Sequence, residues 1–244
     1  LPSLIESLEV PFTVYLFNTL FVTIVGTVLH VLASTSAAFV LSKKLKRSPA
    51  FIIGADTRLS SDMLAAAVSA GICSAGGNAR FVGVLPTPAI AYLVGELQAD
   101  AGIMISASHN SFEYNGIKIF DSRGFKLSDL LEQEIEGLVL KNVMLPLNQS
   151  LGRISLYTQA IDKYIDRLVR MTDERLMGMK IAVDCANGAS HISAQKIFSR
   201  LGAKVYMLSN VPNGTNINEA CGSTHVGALR DFVLEQGLDF GVAF

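Results

Sequence analysis

Every lysine and arginine in the chain lies beyond Ser42. All but Glu6 and Glu9 of the 21 acidic residues lie there too, so the chain divides into a nearly uncharged leader and a balanced remainder. From Asn18 to Leu41 about 24 residues pass without a charge, roughly 36 Å as a helix and enough to cross a bilayer. Lys43, Lys44, Lys46 and Arg47 follow at once, the flank expected on the cytoplasmic side. A cleavable signal peptide fits poorly, because no basic segment precedes the run and the run is too long. The expectation is a hydrophobic helix over residues 1–42, with residues 10–41 anchoring the chain to an inner membrane. A buried helix of a soluble fold is the alternative. The leader also accounts for a mean hydropathy of +0.41 that is high for a soluble enzyme.

After Pro49 short β-type runs alternate with amphipathic windows. Strands are expected at Phe51–Gly54, Arg80–Val84, Gly102–Ser106 and Ile117–Phe120. Helices are expected at Asp62–Ser74, with Met63, Ala66, Ala67 and Ala70 on one stripe, at Ala89–Leu97, and from Asp129 to Leu138. Residues 141–157 carry Pro146 and Gly152 without a period and read as a linker. Beyond it a helix at Thr158–Met171 leads into strands Lys180–Asp184, Lys204–Leu208 and Phe240–Phe244, with helices Ser190–Leu201 and Val226–Gln236 between them. The fold class is therefore α/β, with units at 43–140 and 158–244. Without a basic stripe, nucleic acid is excluded as a partner, and small molecules are favoured. Cys73, Cys185 and Cys221 form no C-x-x-C pair and read as reduced, packed thiols. His191 and His225 stand alone and do not suggest a metal.

The richest segment is "AGIMISASHNSFEYNGIKIF", residues 101–120. An apolar strand runs into Ser106-Ala107-Ser108-His109-Asn110, where the sheet would hold a serine while its hydroxyl faces a cleft. Asn115-Gly116 would turn the chain so that the next strand returns beside the first, bringing Lys118 near the Ser108 loop. Adjacent Ser and His on one strand point to opposite sides, so spacing gives no Ser–His hydrolase pair. From the residues alone, a polar loop fits equally well.

Four ordered segments, "GADTRLSSDMLAAAVSAGICSAGG", "GVLPTPAIAYL", "DAGIMISASHNSFEYNGIKIF" and "PNGTNINEACGSTH", resemble phosphohexomutases of the phosphoglucosamine mutase type over residues 36–244. The resemblance implies two successive three-layer α/β/α domains. It implies that Ser108 carries a phosphoryl group and exchanges it with a sugar phosphate through a 1,6-bisphosphate. It also implies that Lys118 and His109 assist, that Asp56, Arg58 and Asn110 form the phosphate environment, and that Mg²⁺ binds the phosphate on Ser108. From the residues alone, a local Asp56–Arg58 ion pair and a structural His109 stay open. Sugar phosphates are the implied partners, a homodimer is compatible, and the implied compartment is the cytoplasm. Phosphomannomutase and phosphoglucomutase are the nearest alternatives, and a tethered sugar-phosphate-binding module is another.

The chain departs from the family pattern at Ser111, where proline is usual. It also lacks the family's N-terminal Gly-Thr-Asp-Gly strand and ends at Phe244, before the Asp-Gly-Asp metal loop. Little mutase turnover is expected of this polypeptide alone. The stretch "YLFNTLFVTIVGTVLHVLASTSAAFVLSK" resembles instead a transmembrane helix of carbohydrate transporter permeases, which implies a chimeric chain joined near residues 36–42.

Overall fold

In the computed structural model of the protein, residues 45–140 and 151–244 are described, together with Thr35, Ser36 and Ala38. Apart from those three, the helix expected over residues 1–42 lies outside the described residues. Among the described residues no helix is long and apolar enough to cross a membrane. At its end the anchoring segment needs correction. Ala38 is fully buried in the same apolar cluster as Phe51, Ile53, Leu64 and Val68, so here the uncharged run packs into a protein core.

The first sheet has the order β4-β3-β1-β2-β5. Its strands are β1 (Ala50–Ala55), β2 (Asn78–Val84), β3 (Ala101–Ile105), β4 (Ile117–Asp121) and β5 (Ile154–Leu156). β1 lies parallel to β2 and β3, β5 parallel to β2, and β4 antiparallel to β3. Side chains alternate along β1. Phe51, Ile53 and Ala55 enter the cluster under α1 (Ser61–Ser74), while Ile52 enters the one under α2 (Thr87–Glu96) and α4 (Ala160–Arg170). Such two-sided burial explains why β1 and β3 read as apolar runs without a polar face.

Three expectations are corrected here. Helix α1 forms as read but buries Leu64, Val68 and Ile72 and exposes Met63, because alanines at 65–67 and 70 supply small apolar residues on both faces. The reversal from β3 to β4 spans residues 106–116, closed by Ser106 N–H donating to the Gly116 carbonyl at 2.9 Å. Asn115-Gly116 is therefore the end of a longer loop rather than a two-residue turn. Residues 154–156, within the expected linker, are strand β5, while 141–150 lie outside the described residues.

The second sheet, β7-β6-β8, is all parallel: β6 (Lys180–Asp184), β7 (Lys204–Leu208) and β8 (Phe240–Ala243). Helix α5 (Ser193–Arg200) covers one face over Ile181 and Val183. Helix α6 (Gly227–Glu235) covers the other over Ala182. Helix α3 (Asp129–Leu140) lies beside β4, with Ile135 packed near Leu127 and Ile119. Helix α4 packs against both α2 and α5 and joins the two units.

Candidate active site

In open α/β sheets a crevice forms beyond the carboxyl ends of strands, where consecutive connections leave in opposite directions. The chain leaves β1 toward β2 through α1 and returns across β1 to β3 through α2. The loops after β1 and β3 therefore flank such a crevice, and the turn after β6 closes it. The cleft has a volume of about 310 Å³ and includes Asp56, Ser106, Ser108, His109, Cys185 and Asn218 in its lining.

Asp56 lines it, and Arg58 is paired with Asp56. Both are buried, and Arg58 Nη1 donates to Asp56 Oδ2. The other carboxylate oxygen accepts from Arg58 N–H and from Ser61 Oγ, each at 3.1 Å. Of the sequence alternatives, then, the local ion pair is present, but it also reaches the serine loop. Arg58 Nη2 donates to the carbonyls of Ser108 at 3.1 Å and Asn110 at 2.6 Å, with a longer contact from Nε to Ser111 at 3.5 Å. Asn115 Nδ2 donates to Ser60 Oγ at 2.9 Å, tying the far end of the same loop to the start of α1.

Ser108 sits at φ +58°, the left-handed region that an L-residue with a side chain seldom adopts. Its N–H donates to Ser106 Oγ at 3.1 Å. Ser108 and His109 are exposed and line the cleft together. Lys118, expected near the Ser108 loop, lines a neighbouring space. It pairs across the ladder with Met104 and lines an adjoining cavity of about 540 Å³ with Phe120, Lys126 and Glu132. Thr87 borders both spaces. β4 returns antiparallel to β3 as read, and Lys118 lines the space beside the Ser108 cleft.

The second unit contributes contacts that the sequence reading did not assign. Thr57 Oγ1 donates to the Asn187 carbonyl at 2.6 Å, and Leu59 N–H donates to the Gly214 carbonyl at 2.8 Å. Asn218 Nδ2 donates to the carbonyls of Ser108 and Asn110, both at 2.9 Å. The asparagine-rich segment 213–218 was visible, but its reach back to the first unit has no periodicity to reveal it. Cys185 is buried, and burial pushes its thiol up to about 11, so it faces the cleft as a neutral group.

The magnesium implied by the family resemblance would need oxygen ligands from these residues. Among the described residues no group of three or more His, Cys, Asp or Glu is placed to hold a metal ion. Asp56 is engaged by Arg58 and Ser61, and Asp184 accepts from the backbone N–H groups of Ala186 and Gly222. A hard divalent cation needs about six oxygen ligands. The described residues do not fit it on their own.

Residues 24–144 match the alpha/beta/alpha domain I of the phosphoglucomutase/phosphomannomutase family. Over those residues the chain is similar to the phosphohexomutase family. The match begins inside the uncharged run, well before residue 36, so the family's own first domain accounts for that run from residue 24 onward and for the burial of Ala38. Phosphoglucosamine mutases of Acetivibrio thermocellus and Clostridium novyi are 46% and 49% identical over 212 residues, which is 86% of this chain and 47% of each relative. The chain thus spans about half the length of the curated relatives it matches. Among solved structures, a putative phosphomannomutase from Thermus thermophilus aligns with TM-score 0.71 at 22% identity, over 84% of this chain and 47% of that one. A phosphoglucomutase/phosphomannomutase family protein from Burkholderia thailandensis aligns with TM-score 0.68 at 24% identity, over 89% and 48%. These likenesses show the phosphohexomutase fold.

Proposed function

We propose that Ser108 is the phosphoryl carrier of a phosphohexomutase of the phosphoglucosamine mutase type, which interconverts glucosamine 6-phosphate and glucosamine 1-phosphate through the 1,6-bisphosphate. The observation that supports this reading most is the presentation of Ser108. Its loop leaves β3 into the cleft, exposed, with its carbonyls held from behind by Arg58. Phosphoryl transfer asks mainly for positioning and for charge to meet the phosphate oxygens.

In the loading step Ser108 Oγ attacks a phosphorus of the bisphosphate. The Oγ–P bond forms, the P–O bond to the sugar breaks, and a sugar monophosphate leaves. His109 is the side chain in this cleft suited to take the hydroxyl proton and to return it to the departing sugar oxygen. Lys118, from the adjoining cavity, supplies positive charge at its edge. Transfer back to the other sugar oxygen completes the exchange. Glucosamine is favoured over mannose or glucose by the 46–49% identity to proteins named phosphoglucosamine mutase.

The test is a mass spectrum of the protein after incubation with glucosamine 1,6-bisphosphate and Mg²⁺, beside Ser108→Ala. The expected result is one added phosphate on the parent and none on the variant. Equal addition to both would rule out a seryl carrier. No addition to a folded parent would mean that loading needs metal ligands which these residues do not supply, and weak sugar-phosphate binding beside it would favour a binding module without turnover.

A further inference from the structure

Asn218 stands 110 positions from Ser108 in the chain, on the other unit, yet its side chain ends on the backbone of the serine loop. An amide NH₂ has two hydrogens and a carbonyl has two lone pairs. Asn218 Nδ2 uses both hydrogens on the carbonyls of Ser108 and Asn110, at 2.9 Å each. Arg58 Nη2 does the same to the same two carbonyls from the first unit, at 3.1 and 2.6 Å. The two carbonyls are thereby each met by two donors, one fixed by Asp56 and the other supplied by the second unit. Asn218 is itself held, its N–H donating to the Ala186 carbonyl at 2.9 Å, with φ at +60°, which asparagine tolerates better than most residues. Ser108, at φ +58°, keeps an uncommon backbone shape that its surroundings must impose.

We propose that Asn218 is a positioning residue: it holds the Ser108 backbone in its left-handed shape and so makes the direction of the seryl hydroxyl depend on the seating of the second unit. The chemical consequence rests on the reading of Ser108 as phosphoryl carrier, whereas the structural role does not. Two variants separate side chain from backbone. Asn218→Asp keeps the shape and the tolerance of positive φ but has no N–H to donate. Asn218→Gly removes the side chain with no strain at φ +60°.

Hydrogen exchange of the Ser108 and Asn110 amides, which donate to Ser106 Oγ and the Ala107 carbonyl, reports the loop directly. Exchange is expected to quicken at least tenfold in both variants, with the amides of β1 and β3 unchanged. With glucosamine 1,6-bisphosphate as probe, the maximal rate of phosphate gain on Ser108 should fall about tenfold while the half-saturating concentration stays within twofold. Loop exchange within twofold of the parent in both variants would overturn the proposal. So would faster exchange with an unchanged rate of phosphate gain. If the parent gains no phosphate, loop exchange alone decides the positioning role.

Discussion

The Arg58 guanidinium has no exposed side-chain surface, and its charge is met by Asp56 inside the fold. Removing one member of a buried pair leaves the other uncompensated, which costs about 3–5 kcal/mol, far more than an exposed pair is worth. Arg58→Met should lower the unfolding free energy by about that amount, read from the urea midpoint at constant m-value. The same substitution strips the Ser108 and Asn110 carbonyls of one donor, so phosphate gain on Ser108 should fall even at temperatures where the variant is folded. Cys185 offers a second test in the same cleft. Burial pushes its thiol to about 11, with the Ser190 hydrogen bond opposing and the Asp184 charge adding, so at pH 8 only about a thousandth is thiolate. Iodoacetamide at pH 8 should therefore label Cys185 at least a hundredfold more slowly in the native protein than in urea. The rate should climb roughly tenfold per pH unit up to about 11.

At the scale of elements, the fit between α2 and the sheet rests on glycines. A Cβ on Gly102 would run into Val94 Cγ2 and approach Ile90 Cγ2 at 3.2 Å, and both of those side chains are fully buried. Overpacking of this kind costs about 1–3 kcal/mol. Gly102→Ala should lower thermal stability accordingly, and the loss should shrink in a Val94→Ala background, which a double-mutant cycle by denaturant unfolding would measure.

Strands and helices of both units were legible because apolar runs and amphipathic windows alternate at lengths each element favours. The buried face of α1 was not legible, since its alanines fit either side, and Leu64, Val68 and Ile72 decide it through β1 and β3. β5 escaped notice because its three residues are all exposed and join β2 through backbone bonds that leave no apolar pattern. In the site, Asp56, Arg58 and Ser108 were legible only through segments that resemble the phosphohexomutases. The hold of Asn218 on the loop was not legible, because it pairs two segments through backbone carbonyls, which carry no sequence signature.

For the molecule as a whole, the question is what keeps the second unit seated over the serine loop. Three ion pairs bridge α4 to its neighbours: Lys163–Glu96 at 2.8 Å, Arg200–Asp166 at 2.6 Å and Lys196–Asp162 at 3.5 Å. All are solvent-exposed to a third or more, and pairs of that kind contribute about 0–1 kcal/mol each, less in salt. The apolar seam has a firmer basis. Ala160 and Tyr164 of α4 belong to the core cluster beneath α2, and Ile197 of α5 packs against that same cluster from the second unit. Truncating a side chain at such a seam forfeits about 1–2 kcal/mol of burial, roughly a factor of ten in an opening equilibrium.

The Leu59 amide, bonded across the interface to the Gly214 carbonyl, reads that equilibrium without reference to catalysis. Ile197→Ala should speed exchange at Leu59 about tenfold. Raising sodium chloride from 0.1 to 1 M should change it less than threefold. The reverse ranking would mean that charge rather than packing seats the second unit. Because Asn218 reaches the serine loop only while that unit is seated, Ile197→Ala should also quicken exchange at Ser108 and Asn110, though Ile197 touches neither carbonyl. Loosening at Leu59 with a silent serine loop would separate the two events and break the link between domain seating and Ser108.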